Sequence, residues 1–364
     1  MKEINQLDLF SGIGGFHLGF ERAGYKVNSY FSEVDKHAVA VYKHQFKDST
    51  YVGSVTDVRG ADLPRIDLIT FGSPCQDFSL AGKRKGMEGE RSSLILQAIR
   101  LIHECRPRVF IWENVKGTFS SNNGADFWAI IQAFANIGGY RCEWQLLNTS
   151  WFLPQNRERI YLVGHLAERS EPGVFPFKEE DFNTVETRQT HNIKNAPTLM
   201  ACYGKLPTDG FCIQPVLTPD RTEKRQNGRR FKEDGEPSFT LTGQDRHGVM
   251  ITTNTEKGFD IMTQNDSLNL SVPTSKTRRG RVGKGKAQTL DTQANQGVLQ
   301  GSQIRRLTEI ECERLQGFSD GWTKYGVFDG ETKEISRTQR YKMLGNAVTV
   351  NVVQAIGERL IKQL

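Results

Sequence analysis

A cysteine, a glutamate and two arginines occupy places in this chain where side chains are commonly presented to a ligand. Cys75 follows the apolar run 66–71 by way of Gly72, Ser73 and Pro74. That run is short, rich in β-branched and aromatic residues and bounded by breakers, which predicts a buried strand. A thiol just past its carboxyl end lies where open α/β sheets hold their ligands. Glu113 and Asn114 close a second run of the same kind, 108–112, and Asn114 is placed to position nearby backbone. Arg157 and Arg159, two apart where the strand-like 160–164 begins, point to one face. A free thiol ionises near pH ~8.5, so an adjacent arginine cation would favour the reactive thiolate. Converging, the four groups suit covalent catalysis by sulfur beside a carboxyl group. Taken singly, each has a plainer explanation: free cysteines are commonly inert core residues, and the arginines read as surface residues.

The elements around them must bring these groups together. A strand over 7–10 leads into Ser11-Gly12-Ile13-Gly14-Gly15, then a helix over 16–23 ended by Gly24, a strand over 27–31, and Glu33 ahead of a helix over 36–46. This is the βαβ plan of nucleotide-containing cofactor sites. His17 stands where a dinucleotide fingerprint has its third glycine, and Glu33, nineteen positions after Gly14, suits ribose hydroxyls. S-adenosylmethionine fits that pattern better than a dinucleotide, although a plain βα turn would show the same glycines. A strand over 51–58 would let Asp57 reach an adenine amino group. After Cys75, residues 80–91 hold Gly82, Gly86 and Gly89 with Lys83, Arg84 and Lys85, which predicts a mobile lid over an anionic substrate. A helix to Cys105, a helix over 126–137 and a strand over 142–147 complete the first half.

Past His165 the chain turns polar, and 166–300 predicts an irregular β-rich domain with long functional loops. Three of its pieces look alike, at 196–200, 237–242 and 287–292. Order returns at Thr308, which caps a helix over 309–315 with Glu311 completing a capping box. The last helix, 351–362, carries an apolar stripe and is expected to pack back on the first sheet.

The 364 residues allow two domains or one with a large insertion, and 37% hydrophobic with 25% charged residues describes a globular chain. No segment approaches the ~20 apolar residues of a membrane span, and the start lacks an apolar signal core. Six scattered cysteines without metal-ligand spacing point to a reduced, cytoplasmic protein with no metal. The net charge of +6 is mild, but Arg221, Lys224, Arg225, Arg229, Arg230 and Lys232 cluster, as do Lys276, Arg278, Arg279, Arg281, Lys284 and Lys286. Such clusters suit a phosphate backbone; a solvated charged loop is the commoner meaning of one such run.

A thiol, a carboxyl group and S-adenosylmethionine together solve a known chemical difficulty. Carbon 5 of cytosine is too weak a nucleophile to take a methyl group directly, and addition of sulfur to carbon 6 activates it. The motifs, in order, are Asp8-Leu9-Phe10-Ser11-Gly12-Ile13-Gly14-Gly15, Glu33, Asp57, Pro74-Cys75-Gln76, Glu113-Asn114-Val115, Gln155-Asn156-Arg157-Glu158-Arg159, Arg306-Leu307-Thr308 with Glu311, and Gly345-Asn346. Over essentially its whole length the chain resembles a bacterial-type DNA (cytosine-5) methyltransferase.

The resemblance implies a doubly wound, Rossmann-like α/β sheet over 1–165, completed by 338–364. An inserted β-rich target-recognition domain and hinge would occupy 166–337, its variable part ending near 302. It implies Cys75 as nucleophile, Glu113 at ring nitrogen 3, and Arg157 and Arg159 as supports of the pocket. Around S-adenosylmethionine it implies Phe10 on the adenine, Glu33 on the ribose, Asp57 on the amino group, and Ser11, Gly12, Gly14, Gly15, Val34, Val58, Pro74, Asn346 and Ala347. Toward double-stranded DNA it implies Gln76, Ser79, Lys83, Arg84, Arg278, Arg279, Arg281 and the Thr289-Leu290 pair. The expected protein is a monomer with, at most, a separately acting restriction endonuclease as partner. A transfer-RNA cytosine methylase and a non-catalytic DNA-binding regulator remain alternatives. A nicotinamide oxidoreductase fails at His17 and at the Pro-Cys-Gln turn.

Overall fold

The computed structural model describes residues 1–73, 93–182, 213–217, 247–271, 281–293, 295–300, 303–362 and 364. Its centre is a seven-stranded sheet. The strands are β1 (Lys2–Leu9), β2 (Tyr25–Ser32), β3 (Thr50–Tyr51), β4 (Leu68–Gly72), β5 (Val109–Val115), β6 (Tyr140–Asn148) and β7 (Glu158–Leu166), in the order β3-β2-β1-β4-β5-β7-β6. All neighbours are parallel except β7, which runs antiparallel to β5 and β6. The order reverses between β1 and β4, so their carboxyl ends open a crevice at the switch point.

Period-two alternation sends each strand's apolar side chains to both faces. On one face Phe71, Phe110 and Trp112 pack under α3 (Ser93–Cys105) and α4 (Ala125–Ala135), meeting Ala98, Leu101, Ile130 and Phe134. On the other, Leu68, Val109, Ile111 and Val163 pack under α1 (Gly15–Arg22) and the C-terminal α7 (Val350–Leu360), meeting Phe20, Val353 and Ile356. The last helix therefore returns to the first sheet, as its stripe predicts. A third cluster joins α2 (Lys36–Gln45), α5 (Glu309–Leu315) and α6 (Arg337–Asn346) through Val41, Tyr42, Leu315, Tyr341 and Leu344.

Between β7 and α5 lie a three-stranded antiparallel sheet and a four-stranded one. The first is formed by β8 (Ile213–Leu217), β9 (His247–Thr252) and β10 (Phe259–Met262). The second has the order β12-β11-β13-β14, from β11 (Ser267–Asn269), β12 (Val282–Gly283), β13 (Gln296–Gln300) and β14 (Gln303–Arg306). A hairpin, β15 (Tyr325–Phe328) with β16 (Glu331–Glu334), follows α5; Gly326 in it lies against Ala40 of α2.

Two local expectations change. Residues 51–58 form no strand beyond Tyr51; Asp57 sits in a turn, its N–H donating to Ser54 O at 2.9 Å. Helix α6 has no sequence counterpart; its short buried face combines Arg340, paired with Glu313, with Tyr341, Met343 and Leu344, and makes no long apolar stripe. The capping box at Thr308 forms as expected, Thr308 Oγ1 accepting from Glu311 N at 3.2 Å and Glu311 accepting from Thr308 N at 2.8 Å.

Candidate active site

The crevice at the switch point is built on Ser73, the last described residue of the β4 end. Ser73 is buried; its Oγ accepts from Trp112 Nε1 at 3.0 Å, and its carbonyl accepts from Asn114 Nδ2 at 3.2 Å. Asn114 Oδ1 in turn takes Val115 N at 2.8 Å and Thr118 Oγ1 at 3.2 Å. Asn114 therefore fixes the backbone at the point from which the chain leads into Pro74 and Cys75. Those two residues, with Gln76, Ser79, Lys83 and Arg84, lie outside the described residues, as do Arg278 and Arg279.

Glu113 stands beside this strand end, paired with Gly72 in the ladder. A Cβ at position 72 would lie 3.2 Å from Glu113 Oε2, so glycine there leaves the carboxylate its room. Arg159 Nε approaches Glu113 Oε1 at 3.2 Å, both side chains being largely buried, and Arg159 Nη1 donates to Glu158 O at 2.8 Å. A charge pair this far from water holds its geometry firmly, since losing one partner leaves a buried charge. The result is a carboxylate held between Arg159 and the Gly72 end of β4.

The two arginines do not share one task. Arg157 is buried, with Nη2 donating to Ala347 O at 2.8 Å and Nη1 to Gly345 O at 3.3 Å. It fastens the start of β7 to the end of α6, while Arg159 alone meets Glu113.

The glycine turn after β1 has the features of a cofactor cradle. Phe10, Gly12 and Gly14 all have positive φ, at 52°, 54° and 84°. The glycines then divide by role. A Cβ on Gly12 would meet nothing within 4 Å, so that position faces open space, whereas one on Gly15 would strike Val348 Cγ2 at 2.6 Å. Gly15 thereby brings the 346–348 turn, with exposed Asn346 and buried Ala347, against the loop. Glu33 Oε2 accepts from Gly12 N at 2.9 Å and Oε1 from Val34 N at 2.7 Å, so its carboxylate sits at the open side of the turn. Val34 is 77% exposed, an apolar face without cover. Ser11 Oγ is buried and has no hydrogen-bond partner. An open glycine turn, a carboxylate and an uncovered apolar side chain fit an adenosine group. Asp57 is exposed nearby in sequence, whereas Val58 is buried in the core, its carbonyl taking Arg100 Nη2 at 2.8 Å.

Beneath this turn Asp8 is fully buried. Burial drives its carboxyl well above the usual range, against the opposing bond from Thr70 Oγ1 at 2.7 Å. Gln6 Nε2 donates to the same Thr70 hydroxyl at 2.7 Å. Sequence reading assigns none of these three a role; polar residues spaced by two inside β1 are the signal that could have found Gln6 and Asp8.

On the recognition side, Thr289 Oγ1 donates to Asn156 O at 2.8 Å, and Leu290 is buried in the cluster of α5 and α6. Arg281 departs from expectation. It is 2% exposed, and its Nη1 donates to Ser271 O at 3.3 Å, so its cation is turned into the fold and away from solvent phosphate. Lys286 is exposed and, with Lys284, Asn148 and Asn156, lines a cleft of about 440 Å³ between β6 and β12.

With this geometry in place, relatives can be compared. The family model for C-5 cytosine-specific DNA methylases matches residues 4–362, and the chain belongs to that family. It is 30% identical to a type II methyltransferase, M.Bsp6I, of Bacillus sp. (strain RFL6), over 98% of each chain. It is 28% identical to the orphan methyltransferase M.SPRI of Bacillus phage SPR, over 99% of this chain and 98% of the other. Among solved structures, S. pombe Dnmt2 methyltransferase superposes with a TM-score of 0.59 at 15% identity, covering 99% of both chains, which is a likeness of fold. The protein is a DNA (cytosine-5) methyltransferase, and its family implies S-adenosylmethionine as methyl donor. No helix among the described residues is long and apolar enough to cross a membrane.

Proposed function

We propose that the protein methylates carbon 5 of a cytosine extruded from a specific duplex DNA sequence, with Cys75 as nucleophile. The observation that carries this reading is the Glu113–Arg159 pair, at 3.2 Å, beside the strand end that leads into Pro74 and Cys75. Carbon 5 cannot be reached inside a duplex, so the base must leave the stack, at a cost of a few kcal/mol. Cys75 sulfur then adds to carbon 6, and Glu113, oriented by Arg159, gives a proton to ring nitrogen 3 as negative charge develops on the ring and takes it back when the ring is restored. S-adenosylmethionine, when bound, supplies the electrophilic methyl group. Gly12, Glu33, Val34 and the 346–347 turn would hold it. Loss of the carbon-5 proton and of the Cys75 thiolate restores the aromatic ring and the free enzyme.

Residues 166–302 are read as the part that selects the target, with exposed Lys284 and Lys286 offered to the DNA backbone, while Arg281, Leu290 and the Thr289 hydroxyl are engaged within the fold. The reading includes a monomer in the cytoplasm, without a metal. The type II name of the Bacillus sp. relative supports a separately acting restriction endonuclease as partner; the orphan phage relative supports a solitary enzyme. Duplex DNA carrying 5-fluorocytosine at the target tests the mechanism, because fluorine replaces the proton that must leave. The wild type should form a denaturation-resistant adduct and Cys75→Ser none. Efficient methylation of normal DNA without any adduct would refute the thiol mechanism. Bisulfite sequencing of DNA from expressing cells identifies the target word.

A further inference from the structure

A row of hydrogen bonds runs from the four-stranded sheet to residues 154–156, just ahead of the strand that carries Arg159 to its ion pair with Glu113. Gln296 on β13 is 1% exposed; its Nε2 donates to Thr289 O at 2.9 Å and its Oε1 accepts from Gln288 N at 3.1 Å. Thr289 Oγ1 donates to Asn156 O at 2.8 Å. Asn156 N donates to Ala287 O at 2.7 Å and Ala287 N to Pro154 O at 2.8 Å, a parallel bridge centred on Gln155 and Ala287. Gln155 is completely buried; with its amide oriented to satisfy both contacts, it donates to Leu315 O at 2.8 Å and accepts from Leu290 N at 3.2 Å. Two residues after Asn156, β7 begins and carries Arg159 to Glu113.

We propose that this junction positions Arg159 against Glu113, so that the register of residues 287–290 sets the rate of methyl transfer, with Thr289 and Gln155 as positioning residues. The proposal rests on the reading of 166–302 as the target-selecting part. Its physical basis is that residues 154–157 are held from two sides. Arg157 pins the segment to the carbonyls of Gly345 and Ala347. Asn148 and Thr149 hold it as well, Asn148 Oδ1 accepting from Arg157 N at 3.1 Å, Asn148 Nδ2 donating to Asn156 Oδ1 at 2.8 Å and Thr149 N donating to Arg157 O at 2.9 Å. Toward residues 287–290 and α5 its anchors are the bridge to Ala287, the Thr289 hydroxyl and the Gln155 amide. Hydrogen bonds are short-ranged and directional, so a small slide of 287–290 breaks the Thr289 bond and releases the segment on one side only. Arg159 is three residues beyond Asn156, paired with Leu147 and Val115 at the start of β7, and meets Glu113 through a single nitrogen at 3.2 Å, so a shift at Asn156 reaches it through the first residues of the strand.

Single-turnover methyl transfer at saturating DNA and methyl donor tests the idea. The substrates are a duplex with the target word and one carrying a single mismatched pair. Thr289→Val removes the hydroxyl while keeping the shape, at a site whose loss does not empty the core. Its transfer rate should fall about tenfold with the DNA Kd within about twofold, and Thr289→Ser should recover most of the rate. Gln155→Leu should act in the same direction, and the double variant should lose less than the product of the two single losses. An unchanged rate in Thr289→Val, equal losses in Thr289→Val and Thr289→Ser, or a rate loss matched by weaker DNA binding would overturn the proposal. Equal wild-type rates on matched and mismatched duplexes would instead overturn the target-selecting reading, while the Thr289 rates still decide the positioning role.

Discussion

Behind the seven-stranded sheet, Phe71, Phe110, Trp112 and Phe134 fill a core of large rings packed edge to face. Between the two smaller sheets the corresponding cluster among the described residues is Ile251, Met262, Leu268, Leu270 and Leu299, all of them aliphatic or methionine. The first core is large enough to fix strand ends to within a hydrogen bond, as the Ser73, Asn114 and Glu113 contacts require. The second leans on polar side chains for its shape: Asp266 accepts from Thr263 N, Lys284 Nζ and Gly285 N, and Asp291 accepts from Gln293 N and Asn295 N. Chemistry is thus placed on rigid packing. The part read as target-selecting is a thin scaffold whose loops are held by local carboxylates.

The largest expected effect lies in the rigid part. Glu113→Gln keeps the shape of the side chain but removes the charge facing Arg159. Methyl transfer under single-turnover conditions should fall about a thousandfold, roughly 4 kcal/mol in barrier. DNA affinity should stay close to wild type, while thermal stability should fall, because Arg159 is left as a largely buried charge without its partner. A loss of DNA binding of the same size would move Glu113 from chemistry to recognition and blur the contrast between the two regions.

The next test compares the two cores directly. A Cβ on Gly164 in β7 would lie 2.1 Å from Phe110 Cε1, so Gly164→Ala forces a ring in a packed core to move, at a cost of about 3 kcal/mol. Leu299→Ala, in the smaller core, should cost about 2 kcal/mol because its surroundings can collapse further. Thermal denaturation and amide exchange would report both. Gly164→Ala should lower protection in β5 and β7, and Leu299→Ala only in β11, β13 and β14. A single transition shifted equally everywhere by Leu299→Ala would show the two cores to be one cooperative unit.

The same contrast explains what could be read in advance. The strand, glycine turn, helix, strand and acid of residues 7–33 are local patterns of short period, and they stand where the sequence places them. Glu113 and Arg159 were legible because each falls at a strand end that an apolar run announces. Arg157 and Arg159 look equivalent as a pair two residues apart, and only the return of α6 separates them: Arg157 is taken by the carbonyls of residues 345 and 347. Helix α6 itself escaped notice because its buried face, Arg340, Tyr341, Met343 and Leu344, is short and mixes one cation with apolar side chains. Arg340 Nη2 meets Glu313 Oε1 at 2.9 Å, and Glu313 also accepts from Thr323 N at 2.9 Å. Arg281 misled for the opposite reason: a cation within a basic run reads as solvated, yet tertiary packing turned this one inward. Charge composition reports a region's sign and is silent on which side chains reach the surface.

The smallest expected effect sits where the rigid part hands the chain on. Glu143 on β6 accepts from His165 Nε2 at 2.8 Å, and from the N–H groups of Gly173, Val174 and Phe175 at 2.9, 2.9 and 3.0 Å. Ser170 Oγ lies 2.8 Å from His165 Nδ1. The row of serine, histidine and carboxylate resembles a hydrolytic triad in distances alone. Ser170 is buried, and the acid is used up on backbone amides, so the cluster is a clasp that folds the chain leaving β7 back onto the sheet. Burial works against ionisation of Glu143, but the His165 bond and the three amides outweigh it and hold the carboxyl down to about 2. A carboxyl depressed in the folded state stabilises fully above its unfolded value near ~4.3, and that stability drains away as pH falls toward 2. Glu143→Gln should therefore lose about 1–2 kcal/mol at neutral pH and show a flatter decline of stability between pH ~5 and ~2. Methyl transfer at neutral pH should be nearly unchanged, because Glu143 pairs with Val163, four residues along β7 from Arg159, and the clasp gathers at that end of the strand. An acid limb as steep as that of the wild type would place the titrating carboxylates elsewhere. A large loss of activity would tie this clasp, and with it the path into 166–302, to the catalytic side of the comparison.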